Sequence, residues 1–150
     1  MKTITKTVTV YHYDELSEQA KENVLQMLCD INVDYNWWEF VYEDAEQIGL
    51  KLTSFDIGRG NDISGHLLWE PSEVKQAILK NHGKTCNTYK YVQSCDLRKE
   101  NEREGFLYGL LQEYLSILTK EYEYLTSEEV IIETIKANEY EFNKHGEWPF

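Results

Sequence analysis

Nowhere in these 150 residues is there an apolar run long enough to span a bilayer. Basic residues are also scarce: 15 lysines and arginines stand against 27 aspartates and glutamates, a net charge of -12. Nucleic-acid binders gather lysine and arginine on one face, so direct binding to nucleic acid is disfavoured, and so is docking on an anionic membrane. Cysteine is sparse, and Cys29, Cys86 and Cys95 cannot all pair within one chain. Met1–Lys6 starts basic but runs into an alternating segment rather than an apolar leader, so the expected location is the reduced cytoplasm. No repeat, low-complexity tract or long linker divides the chain.

What is present is enough for one folded domain over residues 1–150. The chain is 41% hydrophobic, with four tryptophans and eleven tyrosines. At this length roughly two-thirds of the unfolded surface can be buried without a metal or disulfide staple. The acids are unevenly placed. Residues 1–60 carry eleven acids and five bases and residues 101–150 eleven and four, whereas residues 61–100 carry five and six. Such grouping suits either solubility or a docking surface for a basic partner.

Periodicity sets the expected elements. Ile4, Lys6, Val8 and Val10 alternate with Thr5, Thr7, Thr9 and Tyr11, which predicts a first strand over residues 3–11. Asp14 or Ser17 caps a helix running to about Cys29. A second helix is expected from Asp34 to Gly49, with Trp37, Val41, Ala45 and Ile48 inward and Glu39, Glu43 and Glu46 on another face. Residues 50–57 and 63–69 read as a hairpin through Gly58-Arg59-Gly60-Asn61-Asp62. Pro71 opens a helix to about residue 81. Residues 84–101 read as an irregular loop with at most a short strand near Tyr89–Val92. Helices follow over about 102–125 and after Ser127, then a short strand within residues 139–142 and an aromatic tail. The order predicts an α+β fold, a small and largely antiparallel sheet with helices packed on one side.

The hairpin holds the best polar cluster, Asp56, Arg59, Asp62 and His66. A carboxylate beside an imidazole could serve acid–base chemistry, but no nucleophile or second carboxylate accompanies them, and an interaction loop or a structural turn fits as well. His82, Cys86 and Cys95 lack the close cysteine pair of a structural zinc site, and the glycine-rich turn lacks the setting of a phosphate loop. His12 beside Asp14 reads as a histidine next to a helix cap. No cofactor and no metal ligand set is expected. Trp37 and Trp38 cannot share a helix face; Trp37 fits the core, which leaves Trp38 as a flank or an interface anchor.

Several segments resemble a family of small phage and prophage proteins, commonly uncharacterised or given a loose antitoxin-like label. They are Tyr11-His12-Tyr13-Asp14-Glu15-Leu16-Ser17-Glu18-Gln19-Ala20-Lys21, Trp37-Trp38-Glu39 with Tyr42-Glu43-Asp44-Ala45, Ile48-Gly49, Phe55-Asp56-Ile57-Gly58-Arg59-Gly60 and Ala137-Asn138-Glu139-Tyr140-Glu141-Phe142. Residues 84–101 lie outside the resemblance. It implies a phage-encoded accessory protein that neutralises a host factor, acting in the host cytoplasm. The end Glu147-Trp148-Pro149-Phe150 is more aromatic than the family pattern and marks a specialised tail.

The leading expectation is therefore a non-enzymatic antagonist of a host protein with a basic surface, such as a nucleic-acid channel. The residues expected to carry it are Trp38, Glu39, Glu43, Glu46, Asp56, Arg59, Asp62, Glu129, Glu133 and Trp148. The competing classes are a metal-dependent hydrolase using acidic residues and a phage protein that self-associates, for example as a homodimer.

Overall fold

The computed structural model of the chain describes residues 1–147, so Trp148 and the rest of the expected aromatic tail lie outside the described residues. Among them the fold is α+β: six helices and two separate two-stranded antiparallel ladders. The chain forms two compact units, one from Met1–Tyr35 with the residues from Tyr122 onward, the other from Asn36–Glu121.

The first unit holds strand β1 (Tyr11–His12), a 3-10 turn at Tyr13–Glu15, helix α1 (Glu18–Met27), helix α6 (Glu128–Ala137) and strand β4 (Glu141–Phe142). Ser17 caps α1 by accepting from the Ala20 amide at 3.2 Å, and Ser127 caps α6 through the Val130 amide at 3.4 Å. Tyr13, Leu16, Ala20, Val24, Ile131, Ile135 and Phe142 form its core. Buried Asn32 is satisfied at both ends of its amide: Nδ2 donates to the Leu125 carbonyl at 2.9 Å, and Oδ1 accepts from Thr134 Oγ1 at 2.7 Å. The loop after β4 folds on itself, with the Asn143 side chain accepting from the His145 and Glu147 amides. Gly146, at φ +78, lies so close to α1 that a Cβ there would sit 2.3 Å from the Ala20 carbonyl oxygen.

Only Tyr11 and His12 pair, opposite Phe142 and Glu141; residues 1–10 are exposed and carry no regular structure. The strand expected over 3–11 is thus shorter than its alternation predicts. Strand propensity is local, whereas a ladder needs a second backbone, and beyond Phe142 the chain turns away.

The second unit holds α2 (Glu39–Gln47), the hairpin of β2 (Leu50–Asp56) and β3 (Asp62–Leu67), α3 (Pro71–Asn81), α4 (Asn87–Ser94) and the part of α5 (Glu100–Leu125) up to Glu121. Helix α2 begins five residues after Asp34, because Asn36–Trp38 form a turn in which the Asn36 carbonyl accepts from the Glu39 amide. Its stripe Trp37, Val41, Ala45 and Ile48 is buried as the spacing predicts. In the hairpin Leu50 and Leu52 are buried, and the register shifts between Leu52 and Ser54. That bulge moves the inward phase from even to odd positions, so Phe55 rather than Ser54 turns in.

Residues 84–101 are not an irregular loop. Helix α4 occupies Asn87–Ser94, and α5 already starts at Glu100. The inward residues Thr88, Val92 and Cys95 recur at helical spacing, but two of the three are small or polar, which hides the period. The short strand expected at Tyr89–Val92 is helix.

Along α5, Phe106, Leu110, Leu111, Tyr114, Leu115 and Leu118 are buried. Two of its glycines occupy opposite settings. Around Gly105 a Cβ would meet nothing within 4 Å, whereas at Gly109 it would lie 2.1 Å from the Tyr91 hydroxyl oxygen. The Tyr91 ring cannot easily retreat, since it stacks on Phe106 at 6.1 Å and its hydroxyl donates to the Phe106 carbonyl at 3.1 Å. Alanine in place of a mid-helix glycine normally adds up to about 1 kcal/mol. Gly105→Ala is therefore expected to raise stability by about that amount, and Gly109→Ala to lower it by about 1–3 kcal/mol through displacement of Tyr91. Urea unfolding of the two variants checks the opposite signs.

Candidate functional site

On α2, Glu39 and Glu43 face solvent opposite the buried stripe and make no ion pair among the described residues. Glu46, one turn on, is held by Lys51 of β2 and is not a free carboxylate. The ridge is edged by aromatics. Trp37 is buried, while Trp38 is half-buried just ahead of the helix; their rings meet edge-on at 5.8 Å. Both lean on Phe55 of the hairpin, at 5.7 and 5.8 Å, and Tyr42 joins them at 6.2 Å. Phe40, on the other flank of the ridge, is 54% exposed.

The hairpin cluster does not assemble. Asp56 and Asp62 face each other across the ladder, and His66 lies opposite Lys51. His66 lies four positions along β3 from Asp62, about 13 Å at strand rise. Arg59 sits exposed in the turn, with no ion pair to either aspartate; the turn is tied instead by the Gly58 amide donating to Asn61 Oδ1 at 3.1 Å, with Asn61 at φ 47. Glu129 and Glu133 lie exposed one turn apart on α6 in the other unit. His12 lies 3.8 Å from both Glu15 and Glu141, while Asp14 pairs with Lys136 at 3.1 Å. Among the described residues no three histidine, cysteine, aspartate or glutamate side chains converge as a metal site, and no helix is long and apolar enough to cross a membrane.

A polar group that the sequence reading missed lies on the flank of α2. Tyr114, fully buried on α5, donates its hydroxyl to Asp44 Oδ2 at 3.2 Å. His82 brings Nε2 to 3.6 Å from the same oxygen, too far for a hydrogen bond, and shares a 2.6 Å bond between Nδ1 and Thr88 Oγ1. The His82 Nε2 atom is buried without a partner. This threonine–histidine–carboxylate order has the look of a nucleophile and its base, but Thr88 is only 2% exposed and cannot be reached by a substrate. The only signal in the sequence was Asp44 itself, adjacent on the helical wheel to the inward Val41 and Ile48.

An open groove of about 600 Å³ between α3 and the end of α4 is lined by Lys75, Gln76, Ser94, Cys95, Asp96 and Arg98 among others. Its cations are already engaged. Lys75 donates to the Cys95 carbonyl at 2.6 Å, and Arg98 binds both oxygens of Asp96, whose carboxyl these hydrogen bonds lower to about 2. No protein-family model, curated protein or solved structure matches the chain.

Burial raises the Tyr114 phenol above its usual 10.0, and the negative charge and hydrogen bond of Asp44 raise it further. The folded state therefore holds this proton where the unfolded state releases it. That contribution to stability is complete below pH 10 and is lost as pH rises above it. Tyr114→Phe is expected to cost about 1 kcal/mol at neutral pH and to make the alkaline decline shallower. Urea midpoints from pH 8 to 11.5 check both effects; a slope unchanged from the parent would exclude Tyr114 as a source of the decline.

Proposed function

We propose that this chain is a phage accessory protein that binds and antagonises a host protein through the α2 ridge, docking Glu39 and Glu43 on a basic surface with Trp38 and Phe40 as aromatic anchors. The observation that carries this reading is the pairing of two unneutralised, exposed carboxylates with a 54%-exposed phenylalanine and a half-buried tryptophan on one helix. Phage origin and antagonism rest on the sequence resemblance. The burial of Thr88 takes the threonine–histidine–carboxylate arrangement out of a substrate's reach.

Electrostatic steering predicts how such a complex behaves. Unpaired carboxylates draw a cationic surface across about one Debye length, roughly 8 Å at physiological ionic strength, and added salt weakens the pull. In pull-downs from nuclease-treated host lysate, the chain is expected to retain a basic protein that Glu39→Lys/Glu43→Lys loses and Glu129→Lys/Glu133→Lys keeps. With that partner purified, reversal on α2 should slow association about tenfold or more at low salt and flatten its salt dependence. Phe40→Ala should speed dissociation with little change in melting. Capture of the same proteins by wild type and the α2 reversal would refute the proposal.

A further inference from the structure

Residues 1–10 combine strong strand character with no ladder partner among the described residues. Seven of the nine residues from Lys2 to Val10 are β-branched, and none of the segment is proline or glycine. Its apolar side chains stand in water: Ile4 is 79%, Val8 60% and Val10 38% exposed. The segment runs directly into β1, whose pairing with β4 stops at Tyr11↔Phe142. Among the described residues past Phe142 no strand continues the ladder, because Asn143–Gly146 close a turn in which the Gly146 amide donates to the Asn143 carbonyl. A stretch with this pattern has backbone groups and apolar side chains that a sheet edge would satisfy together.

The same chain carries such an edge. The β2–β3 hairpin is a two-stranded ladder, so each strand has one side without a ladder partner. Natural edges are blunted by lysine, proline or an inward charge, and β3, Asp62-Ile63-Ser64-Gly65-His66-Leu67, has neither lysine nor proline and no buried residue. Its six residues match the length available between Thr3 and Val10. Charge favours the pairing as well. The leading segment holds Lys2 and Lys6 and no carboxylate, in a chain whose net charge is -12. Two copies of the acidic body repel each other, and the segment is the portion of either copy drawn to the other.

We propose that residues 3–10 form a donor strand that adds to the open edge of the β2–β3 hairpin of a second copy of this chain. Exchange of both segments gives a closed two-fold dimer, in which each copy donates one strand and accepts one. Backbone hydrogen bonds supply the attraction, and alternation places Ile4, Val8 and Val10 on a single face of the enlarged sheet, with Lys6 among them.

Sedimentation equilibrium over about 1 μM to 1 mM tests the oligomer, with wild type compared with Val8→Pro and Ile4→Asp/Val8→Asp. Proline removes a ladder donor, and the aspartates place charge on the apolar face. Wild type is expected to associate as a dimer within this range, and each variant to weaken association by about tenfold or more. Melting of the dilute variants should match wild type, because the substituted positions, Ile4 and Val8, are 79% and 60% exposed. Hydrogen exchange locates the contact: amides of residues 3–10 and 62–67 should gain protection together as concentration rises. A wild type monomeric throughout, variants that associate like wild type, or a dimer without protection in both segments would each overturn the proposal.

Discussion

Tyr114 is fully buried, and a phenol hydroxyl removed from water must find an acceptor or cost about 1–3 kcal/mol. Its acceptor is Asp44, on the flank of α2. Val41, Ala45 and Ile48 fix which side of α2 is buried, and with it the rotation of the helix; this bond adds a polar tie from that helix to α5. Glu39 and Glu43 point to solvent as a consequence, and Trp38 is held against Trp37 and Phe55. His82 approaches the same carboxylate without bonding to it and leans on Thr88 instead.

The helices with large apolar stripes were legible from spacing alone. Trp37, Val41, Ala45 and Ile48 mark α2, Pro71 starts α3 where expected, and Ser127 caps α6. Two segments misled for different reasons. Residues 3–11 have the composition of a strand, but composition says nothing of whether a neighbouring backbone exists, and only Tyr11 and His12 find one. Residues 84–101 conceal α4 because its inward positions are Thr88, Val92 and Cys95, not leucines. The acidic ridge was visible as a repeat of glutamates. Capture of Glu46 by Lys51 was not, since it depends on where the hairpin brings β2. Nor could the Asp44–Tyr114 bond be read across seventy residues of sequence: at the level of pattern one partner is an ordinary helix acid and the other a band aromatic.

Five of the 15 lysines and arginines of this protein act locally. Lys21 with Glu18, Lys51 with Glu46, Arg98 with Asp96, Lys99 with Glu102 and Lys136 with Asp14 all join exposed or half-exposed groups, and such pairs are worth about 0–1 kcal/mol each. They contribute little to stability, but they consume positive charge close to where it is made. The carboxylates left over, among them Glu39, Glu43, Glu129 and Glu133, set the field that a distant molecule meets.

The Asn32 amide joins residues 93 and 102 positions away in sequence, at Leu125 and Thr134. The core around Tyr13, Leu16 and Val24 likewise waits for Ile131, Ile135 and Phe142. During synthesis the first 35 residues therefore emerge long before the partners that complete their unit, whereas Asn36–Glu121 is contiguous and can fold as soon as it leaves the ribosome. Throughout that interval α1 exposes its apolar stripe. The core of the first-made residues is thus completed only after Phe142 has been released.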